Sequence, residues 1–491
     1  MKRTLLTLVL AMLTMAAGSR NAAAQNIREN PIVSPVIGMS SDNREVCTHA
    51  APSSGEFVYQ SVVMIQVGTL ESLLGSRIND IDSLIVTGPI NADDLRVMWS
   101  GSLHGRLSAI NLENAIPEND ELPDNAFWHA NEQDQPDKIY VPKLKRIILP
   151  ERIKRIGKAA FAWCVNLEEC NMPTSLQELG DYAFSDCRKF KTSPLIIPEG
   201  VVDIPVMCFK ECYGLGEVIL PSSIRNIKEG GFYRAKISKI NLPEGLESIE
   251  RDGTFYATNL EEVHIPSTCL TITGSQTFAD SHKLKKIHIP DGIRIVPSGF
   301  VSRDTELEEI NIPASVEIIE SEAMSSCWSL TNISLPEGLR EIRSKAFQSC
   351  KSLKVLDLPS TLTYLGWGSC LGLSKLEAIY CKAEIPPVCA GDQGNESMHT
   401  FCHVSKNVNV FDTPKDIPVY IPKGTKELYR MADGWDYFTN FIETDFSGIE
   451  DITSDREEDG IYYDLMGRRI VRPRPNQPYI KNNRKYIYIN Q

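Results

Sequence analysis

Residues 330–350 read LTNISLPEGLREIRSKAFQSC, and this stretch decides the fold. Its first six residues alternate near their end and carry a β-branched side chain, as a short strand does. Pro336 has no N–H to give a ladder and stops the strand. Glu337 and Gly338 are turn residues, and Leu339 and Ile342, three and six past the proline, point back inward. Phe347 adds a large aromatic wedge to the interior, and Cys350 closes the unit. The same unit recurs. Prolines stand at 150, 173, 198, 221, 243, 266, 290, 313, 336 and 359, at spacings of 22 to 25 residues. A period in the twenties with apolar residues at fixed offsets marks a repeat solenoid, because one such unit cannot bury its own edge and only stacked neighbours can. The pattern predicts short parallel strands, mostly β and loop, with little helix.

The inner slots follow from the offsets. Phe161, Phe184, Phe209, Phe232 and Phe347 share an aromatic slot. Phe255, Phe278 and Phe300 fall a residue early or late, and Met324 and Cys370 take the slot in their units. Fourteen residues past the proline stand Cys164, Cys187, Cys212, Cys327 and Cys350, with Ala235 in one unit. A slot that accepts Cys or Ala is a tight interior corner. The chain has 13 cysteines, an odd number. Stacked thiols at coil spacing are within reach of bridging, yet three in a row cannot all pair. Free, buried thiols are expected.

The first residues give an address. Lys2 and Arg3 precede the apolar run Leu5 to Ala17, and Ala22-Ala23-Ala24 follows, which reads as a signal peptide cut after Ala24. The protein is expected outside the cytoplasm: secreted, on the outer cell surface, or in the periplasm. No cysteine follows the cut, so no lipoprotein anchor is expected there. No later run approaches ~18 apolar residues, so no transmembrane span is expected either. With Lys+Arg 51 against Asp+Glu 64 and a net charge of −13, nucleic-acid binding is not expected. A hydrophobic fraction of 42% is enough for a core.

The chain divides into a signal peptide (1–24), an amino-terminal cap region (25–143), an array of about ten repeats (144–387), a carboxy-terminal cap (388–445) and a small β tail (446–491). Trp435, Tyr437 and Phe438 are expected to cover the far end. The tail is acidic from Glu443 to Asp464 and basic from Leu465 onward, and its last residues read as a hairpin around Asn482-Asn483.

The unit L-x-x-I-x-L-P…A-F-x-x-C, over about residues 144–387, resembles the leucine-rich repeat of the BspA-like bacterial surface antigens, also called the treponemal type. That resemblance implies a right-handed, curved solenoid with parallel strands on one face and separate caps. It also implies an exported protein that adheres to host matrix proteins or to other cells, with no enzymatic activity and no cofactor. Residues 58–112 are similar to the amino-terminal caps of such proteins in Bacteroidetes. The tail is similar to the carboxy-terminal sorting domains of that phylum, although Pro478 stands where those carry glycine. A plain β appendage remains the other reading of it.

The positions five, four and two before each proline should face solvent. In three consecutive units they read Glu261, Glu262 and His264, then Lys285, Lys286 and His288, then Glu308, Glu309 and Asn311. Adjacent strands stand about 4.8 Å apart, so these residues form rungs of alternating sign. They serve either solubility and register or recognition of an extended polar partner by a pre-formed face. His264 and His288 share an offset beside Glu262, but a third His or Cys and a supporting shell are missing, and no metal is assigned. No P-loop, H-E-x-x-H, G-x-S-x-G or calcium-loop pattern occurs, so no catalytic or cofactor-binding residue is assigned. The thiol of GWGSC, residues 366–370, occupies the inner aromatic slot and should face the core. Two functions fit: a non-catalytic interaction protein binding a host matrix protein, another cell or a glycan, or an envelope scaffold with the repeats as spacer. Oligomeric state stays open.

Overall fold

The structure, a computed structural model, describes residues 57–128, 141–390, 399–402 and 412–446 with their side chains. It also describes the backbone of short strands at Val36–Ile37, Ile449–Ile452, Tyr462–Asp464, Arg469–Ile470, Pro478–Lys481 and Arg484–Tyr488. The expected signal peptide lies outside the described residues. The chain is a parallel β-solenoid of about 16 turns with little helix.

Nine of the ten repeat prolines follow a short strand, as the missing N–H requires. Arg146–Ile148, Glu169–Cys170, Glu217–Ile219, Glu262–His264 and Lys286–His288 are members of this first ladder. A second ladder, not foreseen, lies five and six residues past the proline. Arg155–Ile156 pairs with Glu178–Leu179, and further on Ile295, Ile318, Glu341, Tyr364 and Val388 stand side by side in successive strands. Its strands are only two residues long, so what reads as turn and inward-pointing residues in sequence is also a paired edge. The stretch 330–335 departs from expectation. No strand forms there, although Leu330 and Ile333 are still buried.

The third side of each coil is a tight loop with two residues in the left-handed region. One column runs Ala159, Tyr182, Met207, Gly230, Gly253, Gln276, Gly299, Glu322, Lys345 and Gly368; the other includes Trp163, Asp186, Glu211, Arg234, Ala257, Asp280, Arg303, Ser326 and Ser349, all with φ between 52° and 66°. That conformation costs an L-residue about 1–2 kcal/mol. It persists because the N–H groups it aims along the solenoid find carbonyls of the next coil: Tyr182 bonds to Val206 O at 2.8 Å, Asp186 to Lys210 O at 2.7 Å and Arg303 to Ser325 O at 2.7 Å.

Inside, the phenylalanines stack. From Phe127 through Phe161, Phe184, Phe209, Phe232 and Phe255 to Phe278, successive ring centroids are 5.1–5.6 Å apart with planes within 21°. Phe300 breaks the series at 87°. The backbone explains why. Phe161 N–H bonds to Ala183 O and Phe278 N–H to Phe300 O, so Phe300 holds the small-residue slot and Val301 the aromatic one. The thiols sit beside this stack, wholly buried and unbridged. Each donates to the carbonyl of the preceding coil's aromatic slot: Cys187 to Phe161 O at 3.1 Å, Cys212 to Phe184 O at 3.2 Å, Cys327 to Val301 O at 3.2 Å and Cys350 to Met324 O at 3.1 Å.

Coils touch backbone to backbone at Gly180, where an added Cβ would stand 2.3 Å from Lys158 N. Main chain cannot yield as a flexible side chain can. Gly180→Ala is therefore expected to lower stability by about 1–3 kcal/mol, read as a lower urea midpoint.

Both flanks continue the first ladder. Tyr59–Val63, Ser83–Ile90 and Ala109–Asn111 pair in turn and join Arg146–Ile148. Between the latter pair of flanking strands, helix Ala92–His104 is capped by Asn91 and Asp94 in a reciprocal box. The buried Asp94 carboxylate also accepts from Gly68 N at 2.8 Å and Leu70 N at 3.0 Å. At the other end, Ala378–Cys381, Pro418–Pro422 and Asn440–Thr444 pair in order. Trp435 and Phe438 are buried under this end, with Trp435 Nε1 donating to Pro387 O at 2.9 Å, while Tyr437 donates its hydroxyl to Thr413 O at 2.6 Å. The tail strands pair among themselves in a five-stranded sheet. Pro478–Lys481 and Arg484–Tyr488 form an antiparallel hairpin across residues 482–483.

Candidate functional site

The first ladder positions the candidate residues by register alone. Glu262 pairs with Lys286 and Lys286 with Glu309, while Val263, Ile287 and Ile310 between them are buried. Alternation along the strand therefore drives the polar side chains outward. Glu261, Glu262, His264, Lys285, Lys286, His288, Glu308 and Glu309 are all exposed. Lys286 Nζ reaches Glu309 Oε2 at 3.0 Å, and this bond holds the ammonium pKa above its ordinary value. Two coils before Lys286, Lys239 Nζ stands 3.4 Å from Glu217 Oε1. Such exposed pairs contribute ~0.2–1 kcal/mol each, enough to bias register but not to hold the solenoid.

His264 and His288 occupy directly paired positions, and their rings stack with centroids 4.5 Å apart and planes 14° from parallel. Partial burial and the neighbouring His264 both lower the His288 pKa, against an opposing effect of Asp291. Among the described residues, no group of three or more His, Cys, Asp or Glu is placed to hold a metal ion.

Asn311 stands apart from the other eight. Its Oδ1 accepts from Ile289 N at 2.7 Å and its Nδ2 donates to Ile289 O at 2.8 Å. Asn171 clasps Leu149 and Asn241 clasps Leu220 in the same way. The amide completes the backbone pairing of the preceding coil where the ladder strand has ended. An asparagine recurring two residues before the proline was the sequence signal for it.

Two other features are chemically less promising. A cavity of about 380 Å³ lies at the carboxy-terminal end among Cys389, His399, Cys402, Asp433, Asp436 and Tyr437. Burial pushes the Cys402 thiol up to about 11 and Cys389 higher still, so neither is a thiolate nucleophile at neutral pH. Cys370 of the GWGSC stretch is buried, with its pKa pushed up to about 12. On the third side, Trp163 lies 5.7 Å from the Arg188 guanidinium and 6.0 Å from Lys210 Nζ, and Trp328 lies 4.4 Å from Lys351 Nζ. These contacts tie neighbouring coils by cation–π attraction. Among the described residues, no helix is long and apolar enough to cross a membrane.

Residues 139–252, 190–304 and 251–377 match the BspA type leucine rich repeat region. The chain belongs to the BspA-type leucine-rich repeat family. Its solved relatives in fold include a leucine-rich repeat protein from Bacteroides ovatus, 21% identical over 66% of this chain and 87% of that one, with a TM-score of 0.48. A leucine-rich cell surface protein from Faecalibacterium prausnitzii is 21% identical over 54% of this chain and 78% of that one, at 0.34. The leucine-rich repeat protein of Treponema pallidum is 23% identical over 38% and 78%, at 0.28. No curated protein matches the chain. The family assignment rests on the BspA-type repeat itself, and these three likenesses carry none of it.

Proposed function

We propose that this chain is a non-catalytic interaction protein, exported and displayed on or released from the cell surface, which binds a protein or glycan partner through the outer side of its first ladder. A host matrix protein or another cell's surface is the expected partner class. The observation that carries this reading is the set of paired, exposed rungs Glu262, Lys286 and Glu309 on a backbone whose strands are hydrogen-bonded to one another. A pre-formed face binds without the entropy cost of ordering loops. Membership of the BspA-type family supports an interaction role.

Reversing Glu261, Lys285 and Glu308 together, to Lys, Glu and Lys, is expected to weaken binding on a matrix-protein and glycan array by about tenfold or more, since like charges across an interface cost several kcal/mol. An unchanged array profile would remove this face from the reading. Deleting 446–491 tests the tail separately: a sorting segment predicts loss of surface display, and an appendage predicts none.

A further inference from the structure

Two imidazoles one rung apart offer a metal ion half of the four ligands a tetrahedral site takes. The order of charges beside them suggests where the other half lies. Along the rung four before the proline, the residues run Lys239, Glu262, Lys286 and Glu309; two before it, they run Asn241, His264, His288 and Asn311. Read backward about the centre between His264 and His288, the first series becomes its own complement and the second repeats itself.

We propose that the face from Lys239 to Asn311 is a self-association surface, on which a second copy of this chain, related by a two-fold axis parallel to the strands, completes a four-imidazole site for a borderline divalent transition-metal ion. The inference rests on the reading of this face as the interaction surface and names its partner.

The geometry follows from the symmetry. A two-fold axis along the strands keeps each residue's offset within its coil and reverses the order of coils. Glu262 then meets the partner's Lys286, Glu261 meets the partner's Lys285, and Lys239 meets the partner's Glu309. Asn241 meets the partner's Asn311. In these rungs no two like charges face each other. Both copies carry the same strand spacing of about 4.8 Å, so complementarity continues from rung to rung. Moving the axis onto a single coil destroys it, setting Glu262 on the partner's Glu262 or Lys286 on the partner's Lys286. The charges thus exclude every axis centred on a coil, and the histidine pair selects, among the axes between coils, the one that brings four imidazoles together. At ~0.2–1 kcal/mol per exposed pair the charges hold it weakly, and the ion supplies the affinity. His264 and His288 meet the partner's His288 and His264 at the centre. Imidazole nitrogens suit Zn²⁺, Ni²⁺ and Cu²⁺. The rings, stacked 4.5 Å apart and nearly parallel, send their in-plane lone pairs out side by side; both side chains are exposed, so a turn about their side-chain bonds brings the two nitrogens to one ion from one side.

Sedimentation velocity on the chain without residues 1–24 tests this, with zinc chloride or with EDTA. Zinc should convert monomer to dimer at one ion per two chains, and EDTA should reverse it. His264→Ala or His288→Ala should leave monomer in both conditions with an unchanged melting curve. Lys286→Glu should weaken the zinc dimer by about tenfold, corresponding to ~1.4 kcal/mol, and the swap Glu262→Lys with Lys286→Glu should restore it. Monomer throughout, or a dimer indifferent to both histidines or not rescued by the swap, overturns the proposal. If self-association fails while array binding still responds to charge reversal, only the identity of the partner is wrong. If the zinc dimer forms while the array ignores the stripe, the broader reading is wrong.

Discussion

Replacing Phe209 with alanine should cost the solenoid about 3–5 kcal/mol, the largest loss expected from any single truncation considered. Phe209 is wholly buried and stacks on Phe184 at 5.6 Å and on Phe232 at 5.5 Å. Its removal forfeits burial, leaves a cavity, and breaks two ring contacts worth about 0.5–1.5 kcal/mol each beyond area. Its position adds to the effect. Between the coil of Glu169–Cys170 and Glu178–Leu179 and the next, with Leu195–Ile196 and Asp203–Ile204, neither ladder is paired among the described residues. That junction relies on the third side, on the Phe184–Phe209 contact and on the bond from Lys191 N to Glu168 O at 3.0 Å. Phe347 provides the control, being equally buried but flanked in its column by Met324 and Cys370. Phe347→Ala should cost less than Phe209→Ala by about 1–3 kcal/mol. Urea unfolding of both variants measures the difference, and equal losses would mean that ring stacking adds nothing to burial here.

Asp304→Asn should stabilise the chain, by an amount that grows with pH. Asp304 takes the slot held by Cys327 and Cys350 in the following coils, and it is wholly buried. Its Oδ1 accepts from Ser281 N at 2.7 Å. Its Oδ2, like Thr277 Oγ1 and Ser302 Oγ, is buried with no hydrogen-bond partner. Loss of water drives the carboxyl pKa well above the usual range, and Asp280 adds to this, against smaller opposing effects of Ser281 N–H and Arg303. The folded chain therefore keeps a proton that the unfolded chain releases. Below about pH 4, where an unfolded aspartate is itself protonated, wild type and variant should be equally stable. As pH rises from there, the unfolded state binds fewer protons than the folded one, and wild-type stability falls until the folded pKa is passed. Asparagine keeps the Oδ1 acceptor and cannot ionise. By pH 8 the gap should reach about 1.4 kcal/mol for each unit by which the folded carboxyl pKa exceeds the unfolded one. Urea midpoints at pH 4 and pH 8 measure it; a gap independent of pH would show that Asp304 is not held as a neutral acid.

The proline period carried the architecture, because a strand that must stop at fixed intervals can only stack. Residues such as Val263 and Ile287 announced the inner face of the first ladder, and the exposed rungs followed from register. The second ladder stayed hidden, since a pair such as Arg155-Ile156 is too short to show alternation. The left-handed columns were equally silent. Sequence rules link positive φ to glycine and asparagine, whereas Tyr182 and Trp163 are held there by hydrogen bonds to another coil. Phe300 misled by identity: it is aromatic, but one slot out of line. At the flanks, strands such as Tyr59–Val63 and Asn440–Thr444 extend the ladder without the proline rule, so only the fold exposes their kinship with the repeats. At the candidate face, His264 and His288 were legible as neighbours, while the Asn311 clasp left only one trace in the sequence, asparagine recurring two residues before the proline.

The junction between the coils of Cys170 and Leu195 gives the rod an articulation. Elsewhere in the array, wherever pairing lapses on one side the other ladder bridges the gap, so bending must stretch backbone hydrogen bonds. Across this junction the two arms are coupled by stacked rings, the left-handed loop bonds, the buried Asp186 carboxylate with Lys210 at 2.9 Å, and a single backbone bond on the first-ladder side, from Lys191 N to Glu168 O at 3.0 Å. All but the Lys191–Glu168 contact lie on or beside one side. Flexural stiffness is therefore lowest in the plane that opens the two ladder sides, and an arm carrying the charged face can swing toward a curved surface without any coil coming apart.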